Sequence, residues 1–318
     1  MDEFGLIQRY FSGLQQLADG VVLGIGDDAA VLEIPPHEQL VVTTDTLVEG
    51  VHFPADIAAE HVASRALGSN LSDLAAMGAE PRWFSLALTL PQVDADWLAG
   101  FSQGLAQLSR THRCALVGGD TTRGPLSVTI TVHGTVPRNK ALTRCGACPG
   151  DRLFVSGVPG MGAAGLACLQ GDWDVADSGA RQQLLNRFLK PEPRLQLGLK
   201  LRGIASAAID ISDGLLADLG HICQRSGVGA QLDIKALEAL PWPETLNTEK
   251  RLLRWTLAGG DDYELCFAVP EKNLDALSAL QSELAITAIG EVMEGEGLWT
   301  IDGNGQRTEL SASGYQHF

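Results

Sequence analysis

Short carboxylates beside glycine or hydroxyl-bearing residues recur at six places along the chain. Any one of them matches the ordinary turn and helix-cap preferences of Asp, Gly, Ser and Thr. Six together favour a shared chemical role, because surface turns usually mix in Asn, Lys, Glu and Pro. Most follow an apolar segment, so we expect these aspartates at the tips of loops that follow strands. The six segments are Gly26-Asp27-Asp28, Thr43-Thr44-Asp45-Thr46, Ser72-Asp73, Gly118-Gly119-Asp120-Thr121-Thr122, Asp210-Ile211-Ser212-Asp213-Gly214 and Gly259-Gly260-Asp261-Asp262.

Carboxylates that converge on one cleft repel one another unless cations lie between them. Mg²⁺ prefers carboxylate, hydroxyl and water oxygens, and it bridges proteins to the phosphates of substrates. The sequence has no His/Cys cluster with the spacing of a zinc site. The pattern therefore predicts a site for several Mg²⁺ ions that holds a nucleotide.

Other ion and phosphate motifs fit the sequence poorly. A P-loop requires Gly-Lys-Ser/Thr, and no lysine follows a glycine here. The protein-kinase motifs are also absent. Asp210 and Asp213 could begin a calcium loop, but His221 stands where an EF-hand requires Glu. These observations exclude P-loop chemistry and an EF-hand.

Two glycine-rich segments resemble dinucleotide fingerprints. Residues 160–165 spell GxGxxG, but residues 178–190 look helical where that fold needs a strand ending in an acid. We expect the glycines to permit close backbone packing or a phosphate contact. Residues 24–29 resemble GxGxxA, although Asp27 and Asp28 would oppose a pyrophosphate unless metals intervened.

Cysteines and histidines offer weaker signals. Cys145 and Cys148 form a single CxxC, and a redox or zinc role lacks the second pair or fold context that such roles need. His52 and His133 are each better explained by a core or surface position than by a metal.

Composition limits the class of protein. The 318 residues carry 23 Lys plus Arg and 39 Asp plus Glu, a net charge of 23 − 39 = −16. Such a chain does not bind nucleic acid by neutralising phosphates, and it is unsuited to an anionic membrane surface. No apolar run of about 18 residues occurs, which predicts no membrane span. The acidic N-terminus and the six cysteines predict a cytoplasmic protein without a disulfide scaffold.

Hydrophobic periodicity predicts the elements that must position these residues. The alternation in 126–136 is the clearest strand signal. Cys148-Pro149-Gly150-Asp151 is the strongest turn, and we place a domain boundary within 138–150. The helices predicted with bounds span 4–18, 57–77, 97–111 and 271–282. The predicted strands span 30–34, 39–44, 83–90, 116–117, 126–136, 152–156 and 263–269, with two more near 285–292 and 297–301, and residues 204–209 form an apolar run that leads into the Asp210 segment.

Seven segments together resemble the thiamine-monophosphate kinases, within the superfamily of aminoimidazole ribonucleotide synthetase-like ATP-binding proteins. The resemblance runs in order from about residue 4 to Phe318. SDLAAMGA (72–79) is shared across the superfamily, whereas HF (52–53) and GGDDYEL point to the thiamine branch. Selenophosphate synthetases are disfavoured because no Cys–Lys pair lies near the N-terminus. The segments are GIGDDAAV (24–31), TTDTLVEGVHF (43–53), NLSDLAAMGA (70–79), GGDTTRG (118–124), ALTRCGACPGD (141–151), IDISDGL (209–215) and GGDDYEL (259–265).

The resemblance implies an α+β, two-domain PurM-like fold. Residues 1–140 would bind ATP and Mg²⁺ and form a barrel-like interface in a homodimer, and residues 141–318 would form an α/β sandwich. The implied reaction is direct in-line phosphoryl transfer from ATP to thiamine monophosphate, assisted by several Mg²⁺ ions, as the last step of thiamine diphosphate biosynthesis. A phosphate monoester is already ionised near neutral pH, so we expect no catalytic acid or base.

The resemblance also implies roles for individual residues. Asp28 is favoured over Asp27 as the principal ligand of that pair. Asp261 stands where the family also uses Glu, and Cys148 stands where the family often has Lys. The implied metal ligands are Asp28, Thr43, Thr44, Asp45, Asp73, Asp120, Asp210 and Asp213; the implied ATP contacts are Gly119, Asp120, Arg144 and Ser212; and the implied thiamine-phosphate contacts are His52, Asp261 and Tyr315.

Two other functions stay open on the sequence. One is another ATP-dependent synthetase or dehydratase of the same superfamily, such as a hydrogenase-maturation protein. The other is a non-catalytic, acidic metal-binding protein.

Overall fold

The computed structural model describes residues 3–15, 19–246, 251–281 and 283–310. The chain folds into two compact units. Unit 1 comprises Met1–Leu74 and Ala79–Asn139, and unit 2 comprises Ala75–Gly78 and Lys140–Phe318. The functional division into domains 1–140 and 141–318 stays a prediction.

Unit 1 is built on a four-stranded sheet with the strand order β3-β6-β4-β5 and on a separate β1-β2 hairpin. A 3-10 helix, Ser12–Gln15, follows the first helix. The elements are α1 (Glu3–Tyr10), β1 (Val21–Leu23), β2 (Val31–Leu32), β3 (Glu38–Val48), α2 (Ala59–Ala76), β4 (Glu80–Leu90), α3 (Ala95–His112), β5 (Ala115–Arg123) and β6 (Ser127–Pro137).

The two faces of this sheet differ in what covers them. Gly134 of β6 lies under α2, where an added Cβ would come 2.9 Å from a methyl group of Leu74. Along β3 the residues on the opposite face, Leu40, Val42 and Thr44, are exposed. Within a single chain, helix α2 covers one face of the sheet, and the other face is exposed along the edge strand β3.

Several predicted elements need correction. The opening helix, predicted over 4–18, ends at Tyr10 and gives way to the 3-10 turn that contains Gly13, a residue with low helix propensity. The predicted strand 30–34 shrinks to Val31–Leu32, because Pro35 and Pro36 restrict the chain that follows.

All six aspartate segments were predicted at loop tips, but three of them lie within helices or strands. Asp45 lies within β3, Asp73 within α2 and Asp120 within β5. The flanking threonines are β-branched and favour continuation of a strand. Asp73 follows the helical period of α2.

Unit 2 is built on a seven-stranded sheet with the order β13-β12-β9-β11-β7-β10-β8. Its elements are β7 (Arg152–Ser156), α4 (Met161–Gln170), α5 (Ser178–Leu189), α6 (Leu195–Leu201), β8 (Ala207–Ile211), α7 (Leu215–Ser226), β9 (Gly229–Asp233), α8 (Ile234–Glu238), α9 (Arg251–Ala258), β10 (Glu264–Val269), α10 (Leu274–Gln281), β11 (Ile286–Met293), β12 (Leu298–Ile301) and β13 (Arg307–Leu310).

The central strands of unit 2 are buried on both faces. Leu153 and Val155 of β7 pack into a hydrophobic core of unit 2, whereas Phe154, between them, stacks on Phe267 of β10 with the ring centroids 5.7 Å apart. All of β10 is buried. This rigid centre carries the loops that follow β7 and β8 and the loop that precedes β10.

Within the described part of the chain, no helix is both long and apolar enough to cross a membrane.

Candidate functional site

A cavity of about 900 Å³ lies at the β5 edge of the sheet in unit 1. Asp27 and Asp28, from the loop after β1, and Gly119 and Asp120, from β5, line it. Asp27, Asp28 and Asp120 are exposed. The structure thus brings together two predicted ATP contacts, Gly119 and Asp120, and two predicted metal ligands, Asp28 and again Asp120, with Asp27 beside them.

Apolar side chains form part of the wall of this cavity, among them Ile7, Phe11, Leu116 and Val117. Gly119 fits against β4 because it has no side chain: its φ is +155°, and an added Cβ would lie 1.8 Å from the carbonyl oxygen of Leu86. A cavity with carboxylates and a partly apolar wall can take a metal-complexed phosphate group joined to a flat organic ring.

A second polar group joins β3 to α2. Thr43 Oγ1 donates a hydrogen bond to Asp73 Oδ2. Thr43 and Asp45 alternate with Thr44, whose hydroxyl pairs with that of Thr131 at 2.9 Å on the other face. The predicted ligands Thr43 and Thr44 therefore face opposite sides of the sheet.

His52 lies in the turn that follows β3. Its Nδ1 accepts a hydrogen bond from the Val48 N–H at 3.0 Å, and its carbonyl oxygen accepts one from Arg65 Nη2 at 3.0 Å. In the neutral ring this places the proton on Nε2. The imidazole is therefore held in a defined orientation.

Asp45 and Asp120 lie at opposite edges of the sheet. Asp45 pairs in register with Ile130, Ile130 with Leu86, and Leu86 with Gly119. Three strand spacings separate the first residue of this row from the last, about 14 Å. One ion does not contact both carboxylates within a single chain, so the predicted convergence on one cleft is not found within unit 1.

In unit 2 the loop after β8 is held by a buried carboxylate. Asp218 Oδ2 accepts hydrogen bonds from the N–H groups of Ser212, Asp213 and Gly214, at 3.0, 3.1 and 3.1 Å. Burial, followed by the charge of Asp213, raises the pKa of Asp218 to about 7. The predicted ligand Asp213 is thereby fixed to the first turn of α7, and the predicted ligand Asp210 is buried within β8.

The 259–263 tip lies directly beside this loop. The Asp261 N–H donates to the carbonyl oxygen of Ser212, and the Tyr263 N–H donates to that of Ile211, both at 2.8 Å. An added Cβ at Gly260 would lie 2.5 Å from the Ser212 carbonyl oxygen. The structure therefore brings Ser212, Asp213 and Asp261 together, and their shared function stays a prediction.

Asp262 explains the GxGxxG segment. Its carboxylate accepts hydrogen bonds from the N–H groups of Gly160 and Gly162, at 2.6 and 2.8 Å, at the N-terminus of α4. An added Cβ at Gly162 would lie 2.3 Å from the Asp261 carbonyl oxygen. The glycines therefore serve close packing, and the helix end that would bind a phosphate already holds a carboxylate.

A buried ion network lies beneath the tip. Glu264, fully buried, accepts hydrogen bonds from Arg194 at 2.6 and 2.7 Å, and also from Arg187 and the hydroxyl of Ser156. Burial alone would raise the pKa of Glu264, but its hydrogen bond with Arg194 and the charges of both arginines outweigh it, and the pKa is lowered.

Three predictions remain. Arg144 is exposed, and its carbonyl oxygen accepts a hydrogen bond from Ser226 Oγ. Cys145 and Cys148 are exposed, the other four cysteines are buried, and none of the six forms a disulfide. Tyr315 lies outside the described residues.

The donor set fits Mg²⁺ in its chemistry. Over the residues that the structure describes, no three His, Cys, Asp or Glu side chains are grouped to hold a metal ion. Mg²⁺ commonly binds through one or two carboxylates, retained waters and substrate phosphates, without a complete protein cage. The oxygens of Asp28, Asp120 and the Thr43–Asp73 pair are of this kind.

Sequence reasoning missed three residues that shape the site: Asp218, Asp262 and Glu264. Each is a buried carboxylate that contacts protein groups. The signal for Asp218 is an acid in the first turn of a helix that follows a Gly. For Asp262 it is a second acid at a Gly-Gly tip, beside a GxGxxG segment that lacks its fold context.

Comparison with known proteins gives a consistent picture. Residues 26–136 match the family model of AIR synthase related protein, N-terminal domain, and residues 148–301 match that of the C-terminal domain. The predicted α+β, two-domain PurM-like fold is thereby confirmed. The four-stranded sheet of unit 1 is not a closed barrel, and the dimer interface stays a prediction.

Similar proteins cover the whole chain. The thiamine-monophosphate kinase of Escherichia coli (strain K12) is 49% identical over 322 residues, which span 99% of this chain and 98% of that protein. That of Haemophilus influenzae is 43% identical, spanning 100% and 98%.

Solved structures agree. The thiamine-monophosphate kinase from Stenotrophomonas maltophilia K279a is 45% identical with a TM-score of 0.85, covering 94% of this chain and 96% of that one. AaThiL complexed with AMPPCP and TMP is 32% identical with a TM-score of 0.78, covering 99% and 97%. A hydrogenase maturation protein, HypE, in complex with ATP shares the fold at 21% identity and a TM-score of 0.78. On these similarities, which extend over its full length, the chain belongs to the thiamine-monophosphate kinase family.

Proposed function

We propose that the protein transfers the terminal phosphoryl group of ATP to thiamine monophosphate, giving ADP and thiamine diphosphate. The observation that carries the proposal is the full-length similarity to thiamine-monophosphate kinases, one of which, AaThiL, was solved with AMPPCP and TMP together. AMPPCP has the three phosphorus atoms of ATP with a methylene group between the last two. In this proposal, the cavity at the β5 edge contributes to binding the phosphoryl donor, ATP, and the 259–263 tip contributes to binding the acceptor, thiamine monophosphate.

The proposed metal ligands divide into sets by position. Bound Mg²⁺ would neutralise phosphate charge and align the reacting groups. Asp28 and Asp120 belong to the cavity of unit 1, Thr43 and Asp73 to the β3–α2 pair, and Asp213 to the loop held by Asp218. Thr44, Asp45 and Asp210 complete the proposed ligands.

Donor and acceptor are held by different groups. Gly119, Asp120, Arg144 and Ser212 would contact ATP, with Arg144 as the exposed cation able to meet a phosphate. His52 and Asp261 would contact thiamine monophosphate, with Asp261 pairing with its cationic or amino groups, and Tyr315 is proposed on the same side. The acceptor phosphate is already ionised, so no side chain needs to remove a proton.

The homodimer is part of this proposal. Asp45 and Asp120 are both proposed ligands, yet the sheet holds them at opposite edges. A second copy that paired its β5 edge with the β3 edge of the first would bring the Asp45 of one chain toward the Asp120 of the other. The exposed apolar residues Leu40 and Val42, 43% and 52% exposed, support such a partner.

The activity is tested with purified protein, Mg²⁺, ATP and either thiamine monophosphate or free thiamine. We expect ADP and thiamine diphosphate in equal amounts with the phosphorylated acceptor, and no product with free thiamine. Removal of Mg²⁺ with a chelator should abolish turnover, and added Mg²⁺ should restore it.

Equal use of free thiamine would refute a phosphate acceptor. ADP release that depends on a carbonyl or amide acceptor, and not on thiamine monophosphate, would favour another ATP-dependent enzyme of the superfamily. Absence of all turnover would favour a non-catalytic metal-binding protein.

A further inference from the structure

The 259–263 tip adopts a backbone that non-glycine residues seldom adopt. Asp261 has φ +63° and Tyr263 has φ +56°, both in the left-handed region, where side chains crowd the backbone. Such conformations persist only where surrounding contacts enforce them. Here the enforcing contacts are the two backbone hydrogen bonds to Ser212 and Ile211 and the carboxylate of Asp262 on α4.

This backbone lets two side chains of the tip meet. The phenol of Tyr263 donates a hydrogen bond to Asp261 Oδ1 at 2.9 Å. Tyr263 is 6% exposed, whereas Asp261 is partly exposed. A buried ring thus presents its hydroxyl to a carboxylate that reaches the surface.

We propose that Tyr263 is a positioning residue for the acceptor: its hydroxyl holds the Asp261 carboxylate in the orientation that binds the cationic or amino groups of thiamine monophosphate. The proposal rests on the proposed function, which gives Asp261 that contact. An aspartate has a short arm with two rotatable bonds. A hydrogen bond to one carboxylate oxygen removes most of its remaining freedom, which lowers the entropic cost of binding a ligand.

The position of Tyr263 suits this role. Its own N–H is fixed to the carbonyl oxygen of Ile211 at the end of β8, and the next residue, Glu264, is held by two arginines. These contacts fix the backbone of Tyr263 to the buried central strands of unit 2, and the backbone in turn positions the hydroxyl. The same strand end carries Ser212, so the acceptor contact and the proposed ATP contact share one support.

The test is Tyr263→Phe, which removes a single oxygen. We expect the KM for thiamine monophosphate to rise about tenfold, the effect of losing one hydrogen bond to a charged group. The KM for ATP and kcat should stay within about twofold of their original values. Tyr10→Phe is the matched control, because it removes a hydroxyl that meets only the Ala95 carbonyl oxygen at 3.4 Å among the hydrogen bonds described for it.

A double-mutant cycle separates positioning from general damage. Asp261→Gly removes the carboxylate and tolerates the positive φ. If Tyr263 acts through Asp261, Tyr263→Phe should raise the acceptor KM no further in the Asp261→Gly background. Melting curves of all variants check the fold.

The possible failures are distinguishable. If Asp261→Gly raises the acceptor KM but Tyr263→Phe does not, or if the two effects multiply, the positioning role is wrong and the proposed function stands. If Asp261→Gly leaves the acceptor KM unchanged, Asp261 does not bind the acceptor, and both its proposed role and that of Tyr263 fail.

Discussion

The proposed metal ligands are held by different contacts: Asp73 accepts a hydrogen bond from Thr43, whereas the N–H group of Asp213 donates one to Asp218. The aspartates and threonines supply hard oxygen donors, and this follows from composition and motif. Their division between two sheet edges does not follow, because it depends on which strands pair and in what register. The structural role of Asp262 could not be predicted for another reason: its partners are backbone N–H groups about a hundred residues away in the sequence.

Neutralising a proposed metal ligand should slow turnover without unfolding the protein. Asp45→Asn and Asp213→Asn should each lower kcat by about a hundredfold or more, because each removes charge from an ion that stabilises the transition state. Asp275→Asn, an exposed acid in the first turn of α10, is the control and should change kcat little. Near-normal turnover in both site variants would contradict the metal-ligand assignment. Steady-state kinetics and melting curves measure the two effects separately.

Asp218 should matter through its acceptor oxygen more than through its charge. Asp218→Ala leaves three N–H groups without this partner, that of Gly214 buried and those of Ser212 and Asp213 partly buried, which costs about 1–3 kcal/mol for each group that stays both buried and unsatisfied. Asp218→Asn can place an amide oxygen at the same point, so it should keep most of the stability and turnover that the alanine variant loses. Equal damage in the two variants would show that the carboxylate itself is required.

Elements with strong periodicity were predicted closely. The strand 152–156 was predicted with both of its bounds, because an apolar run bounded by a turn and a glycine has few alternatives. The strand β9 was missed: Gly229-Ala-Gln-Leu-Asp carries neither β-branched residues nor a clear alternation. Its pairing with β11 and β12 is set by tertiary contacts.

The network that joins β10 to α5 and α6 should govern part of the acid stability. Glu264→Gln leaves Arg187 and Arg194 without their buried partner, and it should cost about 3–5 kcal/mol near pH 7. The folded pKa of Glu264 is lowered. Its stabilisation is therefore present above the unfolded-state pKa and is lost as the pH falls through the folded value.

Denaturant unfolding between pH 7 and pH 3 measures this effect. We expect the original protein to lose stability over that range more steeply than Glu264→Gln. A variant with an unchanged slope would show that other acids govern the transition.

At the scale of the whole molecule, the proposed homodimer would divide the proposed site between two copies. Asp45→Asn and Asp120→Asn should each be nearly inactive alone. A refolded equimolar mixture should regain about a quarter of normal activity, because half of randomly formed dimers are mixed and each has one intact site. No recovery in a mixture shown by sedimentation to contain dimers would refute the shared site. Sedimentation as a monomer of 33.7 kDa at micromolar concentration would refute the dimer itself.

Unit 2 is discontinuous in sequence, and this has a consequence for how the chain is made. Ala75–Gly78 belong to it: the Met77 carbonyl oxygen accepts a hydrogen bond from the Leu142 N–H, and an added Cβ at Gly198 would lie 2.0 Å from the Ala75 carbonyl oxygen. On the ribosome these four residues emerge long before the partners that cover them. Unit 1 can therefore fold during translation while these four residues still lack their contacts with the rest of unit 2. A C-terminal fragment that begins after residue 140 would lack Ala75–Gly78, which belong to its own unit.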